Sequence, residues 1–195
     1  MLVATDHPAL HRPAQPVLPG EFGTVVLHDQ VDELLSVFEP IVEARQGVGL
    51  AAPQVGLSRS IFVVEDRGPL PSGPRWYQDL VREPFARRLV FNPMVLRRST
   101  ESVCAWETCL SEPAVIGLVE RPRQIEVAFD SGDGLAETIR VADWTARIFL
   151  HEIDHLQGCL CSRLYLPGSK MPAADYQDKW KHRPLGDALR TFAAR

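Results

Sequence analysis

No apolar run in the 195-residue sequence approaches the roughly 20 residues that a membrane-crossing helix needs. The first dozen residues carry Asp6, His7, His11 and Arg12, so they lack the apolar segment of a secretory signal. Positive charge is not in excess. The 21 Lys and Arg stand against 25 Asp and Glu, a formal net charge of -4 that leaves no electrostatic footprint for nucleic acid or an anionic membrane. Internal repeats, low-complexity tracts and linkers are also missing. These absences predict a cytoplasmic protein forming a single domain over residues 1–195, with neither DNA nor a membrane as partner. Cysteine is scarce, with only Cys104, Cys109, Cys159 and Cys161. A chain of this length with 45% hydrophobic residues does not need disulfide staples, so at least one cysteine must be weighed as a metal ligand or nucleophile.

What is present reads as strands in the middle of the chain and helices toward the ends. Prolines at 8, 13, 16 and 19 predict an extended opening segment over a surface. Residues 31–46 repeat apolar side chains at helical spacing, with Asp29 as the N-cap and a kink or break at Pro40. A glycine-punctuated segment follows at 47–56, then a short β-branched strand at 61–64 and a Pro- and Gly-rich surface excursion at 66–84. Residues 89–96 read as a strand, and Pro93 places it at an edge or a strand end. Strands at 124–130 and 137–141 flank Ser131-Gly132-Asp133-Gly134, a strong hairpin signal. Asp143 is the expected cap of a helix running to about Gln157 and stopped by Gly158. A short strand at 159–166 and an amphipathic piece at 185–192 complete the pattern. The class is α+β, with mixed or antiparallel β-sheets around a central helix.

That helix carries the sharpest chemical signal, His151-Glu152-Ile153-Asp154-His155. Residues at i and i+4 share one helix face, so both imidazoles can bind one metal ion, with Glu152 beside them to exchange a proton with water. A catalytic site of this kind needs a third protein ligand. Neither His nor Glu follows closely on the helix, and Cys109, within Glu107-Thr108-Cys109-Leu110-Ser111, is the best candidate. Glu107 reads as an acidic anchor paired with Arg121. Cys159, Cys161 and Cys104 read as packing residues rather than ligands, and Trp144 as core or pocket wall.

Three segments in order resemble the signature motifs of peptide deformylases: Gly47-Val48-Gly49-Leu50-Ala51-Ala52-Pro53-Gln54, the segment around Cys109, and the HExxH sequence at 151–155. His7-Pro8-Ala9-Leu10, Pro16-Val17 and Asn92-Pro93 match at the corresponding places, so the likeness spans about residues 6–166 and leaves 167–195 uninformative. The resemblance implies a peptide deformylase-like fold and removal of the formyl group from N-formylmethionyl peptides of nascent proteins by a metal-activated water. It implies Cys109, His151 and His155 as metal ligands, with iron(II) the usual ion and zinc, nickel or cobalt able to replace it. By the same resemblance Gln54 and the Leu110 N–H stabilise the oxyanion and Glu152 shuttles the proton. Val48, Gly49, Thr108 and Ile148 would contact the substrate, with Gly49 allowing its backbone to approach. The partners implied are the formyl peptide and, transiently, the ribosome, for an enzyme acting as a monomer.

The chain departs from the family pattern where the substrate would lie. Thr108 replaces a glycine, Glu112 a hydrophobic residue, and Ile116 an arginine common in bacterial housekeeping members. Together they predict a rim altered in shape and carrying one extra negative charge. Thr108 is expected at an ordinary φ, its side chain occupying space near the peptide. Two further readings follow: a specialised paralogue acting on another N-formyl compound or conferring inhibitor resistance, and a catalytically idle metal-binding homologue. A general metallopeptidase is the weakest option.

Overall fold

The computed structural model describes residues 1–44, 47–68 and 80–192. Most of the predicted excursion at 66–84 therefore lies outside the described residues. Among the described residues, eight strands form two antiparallel sheets: β1 (Gly49–Ala51), β2 (Ile61–Asp66), β3 (Phe85–Arg98), β4 (Ser102–Glu107), β5 (Val115–Pro122), β6 (Gln124–Asp130), β7 (Ala136–Ala142) and β8 (Met171–Pro172). The larger sheet has the order β1-β2-β3-β6-β7 and the smaller one β4-β5-β8. The helices are α1 (Val25–Glu43), α2 (Asp143–Leu156), α3 (Ala173–Lys179) and α4 (Leu185–Phe192), so the class is α+β as expected.

The larger sheet is covered on both faces, and β2 shows why. Successive strand side chains point to opposite faces. Phe62 and Val64 join Phe149, Leu150 and Ile153 of α2, and the Phe62 and Phe149 rings meet edge to face at 5.5 Å. Ile61 and Val63 face the other way, into Leu34, Phe38 and Val42 of α1. A strand buried on both faces reads as a continuous apolar run, which is what residues 61–64 are. The smaller sheet packs Trp106, Ile116 and Leu118 against Tyr176, Leu185 and Ala188 of the C-terminal helices.

Several expectations are corrected. Helix α1 begins at Val25, capped by the Thr24 hydroxyl rather than by Asp29, and runs through Pro40 as one helix. Asp143 is the first residue of α2, not its cap; its φ is +49° and its carboxylate holds Arg123. The segment after α2 is a 3-10 turn at Cys161–Leu164 instead of a strand, contributing a single bridge from Tyr165 to Val119. Gly158, with φ +72°, ends α2 as expected.

Pro93 does not mark an edge. Strand β3 sits in the middle of its sheet, and its pairing with β6 shifts register between Phe91 and Met94, so the missing N–H falls in a bulge. Asn92 makes that bulge workable. It adopts φ +50°, which asparagine tolerates better than other side chains, and its amide bonds Val17 N, Val17 O and Asp130 at 2.8–2.9 Å. The N-terminal strap, which is not extended throughout because Pro8–His11 and Pro19–Glu21 form 3-10 turns, is thereby pinned to the sheet. Asn92→Ala removes three hydrogen bonds and leaves a left-handed backbone without asparagine's local compensation. The expected loss is about 3 kcal/mol or more, read as a lower urea midpoint at unchanged m-value.

Candidate metal centre

The site forms where the end of β4 meets the middle of α2. Ligand atoms of Cys109, His151 and His155 lie within 4.8 Å of one another. The Cys109 Sγ is 3.1 Å from His155 Nε2 and accepts the Ser111 N–H at 3.3 Å. His151 turns its Nδ1 to the Glu107 carboxylate at 3.0 Å, which frees Nε2 to face the thiolate. A sulfur and two imidazole nitrogens converging in this way, one imidazole oriented by a carboxylate, suit a divalent transition metal. The thiol is prepared for that role. A hydrogen bond with Cys161, joined by His151 and His155, pulls Cys109 well below the ordinary thiol value despite its burial.

Glu107 does more than pair with Arg121. Its two oxygens take a bidentate contact from Arg121 at 2.6 and 2.8 Å, a further bond from Arg147 Nη1, and the His151 ring. Burial alone would raise its pKa, yet the guanidinium groups of Arg121 and Arg147 and the His151 hydrogen bond hold it well below the carboxylate range. Arg121 also reaches Asp154, the fourth residue of the HExxH segment, at 2.8 Å. Sequence reasoning found the Glu107–Arg121 pair but missed Arg147 and Asp154. Arg147 stands one turn before His151 on the same helix face, so its i, i+4 spacing to a ligand was the available signal.

Glu152 is buried, and its Oε2 has no hydrogen-bond partner. Burial pushes its carboxyl up to about 7 against the pull of His151 and His155. Gly49 explains how it fits: a Cβ added there would collide with the Glu152 carboxylate. The glycine expected to admit a substrate backbone therefore first admits the acid. Gln54 is oriented by accepting the Ala51 N–H at 2.9 Å, which aims its amide nitrogen at Cys109 Sγ (3.6 Å) and Ser111 Oγ (3.2 Å).

Above this centre lies a cleft of about 540 Å³. Val48, Gly49, Gln54, Thr108, Leu110, Ile148 and Glu152 line it, whereas Cys109 and His155 are buried and are not among its lining residues. Trp144 is a wall of the same cleft. Thr108 is not among the residues with positive φ, and its hydroxyl donates to Val115 O at 2.9 Å, so its side chain is a fixed object at the rim. Glu112 adds no charge there: it turns away to Ser162 at 2.8 Å and does not line the cleft. Ile116 does line it and is otherwise buried under the tail. Cys161, expected to be a packing residue in a strand, is buried against Cys109 and Tyr165, and the hydrogen bond to Cys109 followed by burial pushes its own thiol up.

Glu107→Gln tests the network. It removes the buried anion that both guanidinium groups share, leaving Arg121 only Asp154 and Arg147 only backbone carbonyls, and the expected destabilisation is about 3 kcal/mol in thermal unfolding of the metal-free protein. Metal affinity should also fall about 10- to 100-fold as His151 loses its orienting partner, measured by competition with a chelator.

The model of the family described as polypeptide deformylase matches residues 1–165. Peptide deformylase 2 of Nostoc sp. is 38% identical over 135 residues, covering 69% of this chain and 72% of that protein. Chloroplastic peptide deformylase 1A of Solanum lycopersicum is 32% identical over 163 residues, and the chain spans 57% of its length, 82% of its own being covered. Among solved structures, the Met-Ala-Ser-bound class I type b peptide deformylase of Acinetobacter baumannii superposes with TM-score 0.73 at 30% identity, covering 84% of this chain and 96% of that one. The Thermotoga maritima peptide deformylase gives TM-score 0.68 at 29% identity, covering 86% and 97%. Sequence likeness and fold agree over the whole stretch that builds the centre, and on that ground the chain belongs to the polypeptide deformylase family.

Proposed function

We propose that the chain is a metal-dependent hydrolase that removes the formyl group from N-formylmethionyl peptides. The observation that carries this reading is the meeting, around one cleft, of the Cys109/His151/His155 cluster with an unpartnered buried Glu152 and the aimed amide of Gln54. A divalent ion held by the cluster supplies Lewis acidity toward the formyl oxygen and the attacking water. Iron(II) is the proposed ion, from family resemblance; a thiolate with two imidazoles would also accept zinc, nickel or cobalt.

The chain's own residues supply the rest. Glu152, buried and close to neutral pKa, accepts the proton of the attacking water and returns it to the leaving amine. Gln54 Nε2 and the Leu110 N–H donate to the developing oxyanion. The substrate backbone runs beside Val48 and Gly49 at the start of β1, an edge strand of the larger sheet, with Thr108 and Ile148 flanking its first side chain. The proposed setting is the cytoplasm, on nascent chains, with transient ribosome contact by a monomer. No helix among the described residues is long and apolar enough to cross a membrane. Packing of Tyr176, Trp180 and Phe192 on Trp106 supports treating residues 1–195 as one domain.

Three assays test this reading. With the metal-loaded protein, formyl-Met peptides should turn over while acetylated and unblocked peptides do not; equal cleavage of all three would make it a general peptidase. Glu152→Gln should keep its metal and lose at least about a hundredfold in turnover, the low end for a positioned acid–base group. Gly49→Ala should likewise retain the metal yet lose turnover, because the new methyl displaces the Glu152 carboxylate. Near-normal activity of Gly49→Ala would place the proton shuttle elsewhere.

A further inference from the structure

The family match ends at residue 165, yet the chain beyond it returns to the cleft. Strand β8 pairs Met171 and Pro172 with Ile116 and Val115, so the tail covers the open edge of β5. Tyr176 is buried with its ring 5.2 Å from Trp106, and Trp180 (tilted) and Phe192 (edge to face) pack on the same indole at 5.9 and 6.1 Å. Helix α3 is therefore held on one side by a strand pair and on the other by an aromatic cluster. Its exit is closed by the Lys181 N–H bonding Tyr176 O at 3.0 Å. This anchoring leaves Gln177 and Lys181 lining the same cleft as His151 and Glu152.

Charge distinguishes Lys181 from its neighbours. Across the cleft, Glu65 is held by Arg67 and Arg87, and Asp66 by Arg82. Glu107 is neutralised by Arg121 and Arg147, and Lys179, two residues away, is paired with Asp175. Lys181 has no ion pair among the described residues and is only partly exposed. A surface lysine in water needs no partner. This one stands on a rigid wall, in a cleft too large for one residue to fill, whose centre acts on a peptide's N-terminus.

We propose that the tail from Pro172 to Lys181 is a substrate-binding wall for peptide residues beyond the formylated one. Lys181 selects a carboxylate there, either an acidic side chain at the second or third residue or the C-terminus of a short peptide. The inference rests on the deformylase reading, and the test keeps the two apart. On metal-loaded wild type, KM is compared for formyl-Met-Ala-Asp-amide, formyl-Met-Ala-Asn-amide and formyl-Met-Ala-Asn with a free carboxylate, at low and high ionic strength. The deformylated product Met-Ala-Asp-amide is titrated calorimetrically in parallel. The expected result is a KM about fivefold lower for a carboxylate-bearing peptide, in the range of a partly exposed ion pair, shrinking as salt rises. The amidated Asp peptide and the free-acid Asn peptide show which carboxylate is read. In Lys181→Ala the ratio between acidic and neutral peptides should fall to about one, and in Lys181→Glu it should invert, the change residing in KM rather than kcat. Absence of turnover on any formyl peptide refutes the deformylase reading; product binding with the same charge dependence would still support the wall. Turnover without a carboxylate preference, or a preference that survives Lys181→Glu, overturns the wall's role.

Discussion

The carboxylate of Glu107 is the point on which the site depends. Buried at the end of β4, it is held by Arg121 from β5, by Arg147 from α2, and by the His151 ring. Two other elements, β5 and α2, thereby converge on the anion that β4 carries. A carboxylate stripped of water is tolerable only because each lone-pair direction is met by a cation or an N–H. The arrangement constrains more than charge. Arg121 ties Glu107 to Asp154, so both turns of α2 that carry the histidines are indexed against the cysteine strand. Placing the thiolate and two imidazoles within metal-binding reach thus follows from satisfying a buried anion.

The second constraint is steric. Glu152 is buried, which pushes its carboxyl up to about 7, and it also lines the cleft, where its carboxylate lies against β1. Gly49 makes room for it. Gln54 is held in turn by its carbonyl oxygen, which accepts the Ala51 N–H. Acid and donor are fixed by the same short segment, residues 49–54, which forms β1 and the 3-10 turn after it. That economy explains why the segment is punctuated by glycine and proline and has no helical periodicity.

Much of this was legible in the sequence. The i, i+4 histidines, the hairpin at residues 131–134 and the β-branched strand at 61–64 depend on local sequence alone, and each was readable; that the strand is buried on both faces was not. What was missed depends on partners distant in sequence. Pro93 looks like an edge marker until Asn92 is seen gripping Val17 and Asp130. Asp143 looks like a helix cap until Arg123 is seen to claim its carboxylate. Cys161 looked like alternating strand, but its neighbourhood is set by Cys109, which local pattern does not encode. Glu112 looked like a rim charge because nothing local showed Ser162 waiting for it. The tail was opaque for the same reason: its packing partner is Trp106, some seventy residues before Tyr176.

The grip of Asn92 on Val17 has a consequence for how the chain assembles. The two residues are 75 apart, so the bond closes a long loop and returns its entropic cost only once β3 and β6 are already paired around the bulge. The strap so closed also bonds the centre itself: Val3 N–H donates to Gln54 O, the Thr5 hydroxyl to Ser111 O and Ala14 N–H to Leu156 O, so loosening the N-terminus loosens the segments around Gln54, Cys109 and the end of α2 together.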